Sequence, residues 1–131
     1  MSDRISRWVD ISLRTLLTLA SAPDGRTTIA DLARDLRVPV RYQGKVIQRL
    51  SAAGWVTTTR GKNGGLTVSE AGRTVTPEEV MDELEGGRPP VDCTDPPCPL
   101  LLLGCPLRGL ITDAEIAFRQ VLGAKTIAEL V

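Results

Sequence analysis

Two short amphipathic segments joined by a tight turn, a β-branched hairpin with a glycine-rich tip directly behind them, and a long apolar-striped segment near the C-terminal end predict a mainly α fold. Helix, turn, helix and hairpin in that order make a winged helix-turn-helix with a two-stranded β wing. The chain then continues through a cysteine-rich loop into a long C-terminal helix.

Asp3 is placed to N-cap a first helix from about Arg4 to Ala22. Ile5, Trp8, Val9, Leu13, Leu16, Leu17 and Ala20 recur at helical spacing and make one broad apolar face. Ile11 and Leu19 add apolar surface on another side and call for a second packing partner. Pro23, Asp24 and Gly25 end this helix as a turn. Thr28 caps a short helix over about Ile29 to Leu36, Arg37-Val38-Pro39 is a tight connection, and a third helix runs from about Val40 to Ala53, stopped by Gly54. Trp55 to Thr59 reads as a strand, Arg60 to Gly65 as a hairpin tip, and Leu66 to Val68 as the return strand. Thr76-Pro77-Glu78-Glu79 is a capping box with proline at the first helical position, opening a helix through Val80, Met81 and Leu84 that Gly86 and Gly87 close. After Pro106 a helix from about Leu107 to Leu122 carries Leu110, Ile111, Ala114, Ala117, Phe118 and Val121 on one stripe. That stripe lies outside the winged-helix core, so a second subunit is its natural cover. Thr126 caps a last turn, Ile127 to Leu130.

The 131 residues suit one domain with an appended element. The chain is 42% hydrophobic and only 3% aromatic, so its core must be aliphatic. It contains no histidine, which excludes histidine general bases and Cys/His zinc sites; no carboxylate pair or nucleophile constellation replaces them, so an enzyme is not expected. Residues 1–75 hold 12 Lys and Arg against 6 Asp and Glu, while residues 76–131 hold 4 against 10. A basic first half suits a polyanion, although solvated charge with no partner would look the same. Leu100 to Leu103 is far too short to span a membrane, so no membrane partner is expected. The start M-S-D-R-I-S-R-W has no signal-type apolar run; a cytoplasmic protein with reduced thiols is the expectation.

All three cysteines fall in one stretch, C-T-D-P-P-C-P-L-L-L-L-G-C, from Cys93 to Cys105. Pro96, Pro97 and Pro99 fix φ and remove backbone donors, so the stretch is a stiff loop rather than a helix or an inner strand. Three thiols at set positions on such a loop suggest a metal or iron–sulfur site. The alternative is three unrelated buried thiols. An odd count argues against a disulfide framework.

On the third helix Val46, Ile47 and Leu50 face inward, which leaves Arg41, Tyr42, Lys45, Gln48 and Arg49 outward. Arginine, lysine and glutamine on one helix face can bind phosphates and base edges in a major groove; a solvated face is the plain alternative. Arg60 and Lys62 on the glycine-rich tip suit phosphate or minor-groove contact. With Thr28 at the helix start and Gln43, the candidate DNA-binding set is Thr28, Arg41, Tyr42, Gln43, Lys45, Gln48, Arg49, Arg60 and Lys62.

The helix-turn-helix, the R-G-K-N-G-G-L wing, the T-P-E-E-V helix, the three-cysteine loop and the closing T-I-A-E-L-V resemble the Rrf family of bacterial winged-helix regulators over nearly the whole chain. R-W-V-D-I-S-L-R-T-L and V-D-C look most like its NsrR-like, nitric-oxide-sensing group. The resemblance implies a homodimer with an iron–sulfur cluster held by Cys93, Cys98 and Cys105 and by Asp10 of the other subunit. It makes residues 1–86 the DNA-binding domain, 87–106 the cluster-binding loop, and 107–131 the dimerisation helix and C-terminal turn. The group keeps equal gaps between its cysteines, whereas here the gaps hold four and six residues. From the residues alone, Asp10 could equally be one end of a surface pair with Arg14, four residues on.

The expectation is a repressor that binds double-stranded operator DNA and releases it when nitric oxide attacks the cluster, 4Fe–4S being favoured over 2Fe–2S. Leu100 to Leu103 would shield the cluster from water. Two rivals remain open: the same fold sensing redox state or iron supply through a 2Fe–2S centre, and a zinc-stabilised interaction module with no sensing role.

Overall fold

The computed structural model describes residues 4–22, 26–61, 64–87, 89, 91–100 and 104–131. Helix α1 spans Arg7–Ser21, α2 Ile29–Leu36 and α3 Val40–Ala52. Strands β1 (Val56–Thr59) and β2 (Gly65–Val68) form the wing, α4 (Glu70–Thr74) and α5 (Pro77–Glu85) follow, and after the cysteine loop comes α6 (Pro106–Leu122) with a closing 3-10 turn, Ala128–Leu130.

Ser6 caps α1, its hydroxyl accepting from the Val9 N–H at 3.2 Å, so the helix begins later than the expected Arg4. The expected Asp3 cap and the Pro23-Asp24-Gly25 turn lie outside the described residues. Thr28 caps α2 as expected, accepting from the Asp31 N–H at 3.1 Å. Arg37 ends α2 in the left-handed conformation (φ 57°), and the Val38 N–H reaches back to the Ala33 carbonyl at 3.0 Å. That closure makes the turn into α3 tight enough for α2 and α3 to pack against each other. The strands pair antiparallel in the register Val56↔Val68 through Thr59↔Gly65, with Thr27 adding one bridge to Leu66.

The core is aliphatic: Leu16, Leu19, Leu32, Val46, Leu50 and Val80 have no exposed surface. Ile11 and Leu19 lie inside it, so the second apolar side read on α1 is covered by the chain's own core. The face of α1 is rotated from the expected one because Ser12 and Thr15 are fully buried. Each bonds a carbonyl one turn back, Ser12 to Trp8 and Thr15 to Ile11, both at 2.7 Å, which satisfies the hydroxyls inside the core.

The short helix α4 carries no signal in the apolar pattern; Ser69 caps it, accepting from the Gly72 N–H at 3.0 Å. Gly72 is required there, since a Cβ would stand 2.2 Å from the Trp55 carbonyl oxygen. In α5 the capping box forms in full, with Thr76 and Glu79 bonding each other's backbone N–H at 3.2 and 2.9 Å.

Helix α6 buries none of its residues fully. Its C-terminal half is fixed to the core: Arg119 pairs with Asp82 of α5, and beyond the helix Ile127 is fully buried with its N–H on the Val75 carbonyl at 2.9 Å. Residues 107–131 are therefore anchored to the winged-helix core at one end. Glu129 and Thr126 close the last turn by bonding each other's N–H, which holds the Glu129 carboxyl below its ordinary pKa. Among the described residues no helix is long and apolar enough to cross a membrane.

Candidate DNA interface and metal centre

Arg41, Lys45 and Gln48 stand exposed on α3, as the helical spacing predicts. They line a groove of about 540 Å³ whose other walls include Ile29 at the start of α2 and Thr58 of β1. Gly44, Ile47 and Ser51 complete the α3 side of this groove. Gly44 and Ser51 were not singled out by sequence, and Ile29 and Thr58 were read only as helix and strand positions; a glycine in mid-helix was the available signal. Arg60 is exposed where β1 meets the wing tip, and Lys62 lies outside the described residues. Thr28 is exposed at the α2 cap.

Three members of the predicted DNA set sit differently. Gln43 is fully buried, and its Nε2 donates to the Thr15 Oγ1 at 2.8 Å. It cannot reach DNA, and its place in the binding set is corrected: helix spacing turns it toward α1, where a buried hydroxyl accepts its amide. Tyr42 is half-buried against α1, edge-on to Trp8 with ring centroids 5.8 Å apart and with the Arg7 guanidinium 5.4 Å from its ring. Arg49, partly exposed, reaches α5: its Nη2 donates to the Glu83 carbonyl at 2.7 Å and to the Glu83 carboxylate at 3.0 Å. Helix α5 has no basic residue in its own last turn, so this guanidinium supplies the positive charge its C-terminal end lacks.

The three cysteines are unpaired and half-buried. The Cys98 N–H donates to the Cys93 carbonyl at 3.0 Å, closing a tight turn around the two prolines, and the Asp95–Pro96 peptide is cis. Asp92 braces the entry to this turn. Its carboxylate accepts from the Thr94 hydroxyl at 2.6 Å and the Thr94 N–H at 2.9 Å, which holds it below the ordinary carboxylate pKa. Cys105 occupies the N-cap of α6. The unequal spacing is thus divided between a closed turn before Cys98 and a longer run to Cys105, of which Leu101 to Leu103 lie outside the described residues.

Among the described residues no three Cys, Asp or Glu side chains converge as a metal-holding group. Asp10 is half-buried on α1, and its Oδ1 accepts from the Arg14 Nε at 2.8 Å. The single chain thus contains the Asp10–Arg14 pair and does not bring Asp10 to the cysteines. The donor chemistry suits a soft metal: three thiols without a disulfide, partly shielded, on a proline-stiffened loop.

A helix-turn-helix packed under a two-stranded wing, with exposed arginine, lysine and glutamine on its second helix, defines a winged-helix DNA-binding protein. A family model described as "Rrf2: Iron-dependent Transcriptional regulator" matches residues 5–131. The chain belongs to the Rrf2 family. It is 39% identical over 131 residues to the HTH-type transcriptional repressor NsrR of Streptomyces coelicolor, covering 98% of this chain and 88% of that protein. Among solved structures it is similar to CymR, the global cysteine regulator of B. subtilis, with a TM-score of 0.79 and 26% identity over 98% of this chain and 96% of that one. IscR of T. potens shares the fold, at a TM-score of 0.73 and 19% identity, over 97% and 85% of the two chains. The relatives are transcriptional regulators, and this chain is one rather than an enzyme.

Proposed function

We propose that the chain is a homodimeric, iron–sulfur-dependent transcriptional repressor that holds operator DNA in the cytoplasm and releases it when nitric oxide attacks its cluster. The observation that carries this reading is the set of three unpaired, half-buried thiols on the one loop that joins the DNA-reading head to the exposed helix α6. The 39% identity to an NsrR repressor supports it. Arg41, Lys45, Gln48 and Arg60 would contact the DNA, with Thr28 close by at the α2 N-terminus and Lys62 on the wing.

Cys93, Cys98 and Cys105 would hold the cluster, and Asp10 of the partner subunit would supply the fourth ligand. Asp10 has one oxygen engaged by Arg14, which leaves its second oxygen for iron. A carboxylate binds iron less firmly than a thiolate does. Bound there, a 4Fe–4S cluster would supply one oxygen-ligated iron open to a small neutral molecule. The chain's own residues do the rest. The prolines and the Asp92 turn hold Cys93 and Cys98, α6 carries Cys105, and α1, which carries Asp10, would present it to the second copy. Each cluster would then tie one reading head to the opposite subunit's α6, so its loss would let the heads shift and lower operator affinity.

Anaerobic purification with an absorption spectrum and iron and sulfide counts tests this. A straw-brown parent is expected, and alanine at Cys93, Cys98 or Cys105 should lose iron and sulfide. Full iron and sulfide in Cys98→Ala would remove that residue from the ligand set. Asp10→Ala should alter the spectrum or the reaction with nitric oxide; a parent-like response would remove Asp10. A colourless protein with stoichiometric zinc would replace the proposal with a zinc-stabilised module. The iron-dependent description of the family favours one second reading, the sensing of iron supply through a 2Fe–2S centre. Release of DNA on iron chelation but not by nitric oxide would be its outcome.

A further inference from the structure

Gly44 occupies the middle of α3, three residues after Arg41 and four before Gln48. Glycine is the least favourable helix residue after proline, so a glycine in a helix interior calls for a reason. Gly72 has one in the fold, a Cβ there colliding with the Trp55 carbonyl. Gly44 has none: its backbone is helical, without positive φ, and a Cβ there would meet no heavy atom within 4 Å. The open space around it is the groove between α2, α3 and β1. Among the described residues Arg41 and Lys45 are the charged ones that line the groove, and no acidic residue does. Ser51 is another lining residue, and its hydroxyl is buried without a partner among the described residues.

We infer that Gly44 is a specificity-determining position, a bare spot on the recognition helix that lets its backbone seat against base-pair edges in the major groove. This rests on the DNA-binding reading above. A helix that sits closer brings Gln48 within reach of base edges, and glycine leaves room for a thymine methyl, the one apolar group on the floor of that groove. A Cβ at this position would hold the helix away from the bases while leaving arms as long as Arg41 and Lys45 on the phosphates. The residue therefore bears on the choice of sequence more than on attraction to DNA in general.

Gly44→Ala in the anaerobically purified protein separates these effects, with Gly44→Leu as a longer obstruction. The probes are the duplexes that the parent enriches from a random pool and a scrambled duplex of the same length. Gly44→Ala should raise Tm by a few degrees, because alanine is the better helix former and has space. Its affinity for the enriched duplexes should fall roughly tenfold. Binding to the scrambled duplex and the salt slope should stay as in the parent. Gly44→Leu should deepen the loss. Parent-like affinity of Gly44→Ala for the enriched duplexes overturns the inference, as does an equal loss on both duplexes. A lowered Tm overturns it too, by showing that the fold itself needs glycine. Failure of the parent to enrich any sequence would instead sink the DNA reading on which the inference rests.

Discussion

A glutamine with no exposed surface sits in the reading head because its amide is half satisfied. The Gln43 Nε2 donates to Thr15, whose own hydroxyl already donates to the Ile11 carbonyl, while the Gln43 Oε1 is buried without a partner among the described residues. An unsatisfied buried acceptor costs about 1–3 kcal/mol, comparable to what the one hydrogen bond returns. Gln43→Met, similar in volume and apolar, should therefore unfold in urea within about 1 kcal/mol of the parent. Gln43→Ala should lose about 2–4 kcal/mol through the cavity it leaves. Both should keep the parent's DNA salt slope, because the side chain does not reach the surface; a reduced slope in Gln43→Met would return Gln43 to the DNA face. Sequence reading missed this residue, and the true inner face of α1, for one reason. Apolar periodicity counts only apolar side chains, whereas Ser12, Thr15 and Gln43 are buried by bonding one another or a nearby carbonyl. The exposure of Arg41, Lys45 and Gln48 was legible because helical spacing turns them outward, with no hydrogen bond or ion pair to them among the described residues.

At the scale of elements, Arg49 connects the recognition helix to the helix that leads into the cysteine loop. Its guanidinium holds both the carbonyl and the carboxylate of Glu83. The pair is partly exposed and thus screened, and together with the helix-end contact it is worth about 1 kcal/mol. That is little for the stability of the head but enough to bias how α3 sits against α5. Arg49→Gln and Glu83→Gln should then weaken operator binding alike, with a double variant no weaker than either single one, and all three should keep the parent's salt slope. Arg41→Gln should instead flatten the slope by about one unit, as the loss of a phosphate contact does. A flattened slope in Arg49→Gln with an unaffected Glu83→Gln would restore Arg49 as a DNA ligand. The sequence could not separate Arg41 from Arg49, since both fall on the outer side of α3 by spacing; the partner lies 34 residues away, on a helix whose docking angle no local pattern records. The capping boxes and the wing were readable because their signals are local: a hydroxyl three residues before a glutamate, and β-branched residues around glycines.

Across the whole molecule, α6 is held to the core at one end. Its C-terminal half is held by Arg119 on Asp82 and, past the helix, by buried Ile127. Arg4, ahead of α1, adds a pairing with Glu115 and stands over the Phe118 ring at 5.1 Å. Toward the N-terminal end, where Cys105 occupies the N-cap position, Leu107 and Leu110 are 59% and 66% exposed, and Ile116 and Val121 are exposed further along the helix. Exposed large apolar side chains such as Leu107, Leu110 and Val121 suit a surface that a second copy would cover in the proposed homodimer. Each one buried fully would contribute about 1.5–3 kcal/mol, so a few from each of two copies suffice for a stable pair. Composition and the helical stripe included Leu110 and Val121 of this exposed set but not Leu107 or Ile116. They did not foretell that the last turn returns to the core, because a single isoleucine in a capped turn resembles any surface turn until Val75 is seen to accept its N–H. Leu110→Asp tests the arrangement at the scale where it operates. Two charges facing each other at the centre of an apolar contact should shift the sedimentation mass from dimer toward monomer at micromolar concentration. The winged-helix core, which Leu110 does not enter, should keep its thermal transition. Operator affinity should collapse with the dimer, since two half-sites are read together only by two tethered heads, while the weak affinity for a single half-site should persist. A Leu110→Asp protein that remains dimeric and binds the operator like the parent would move the subunit contact off this end of α6.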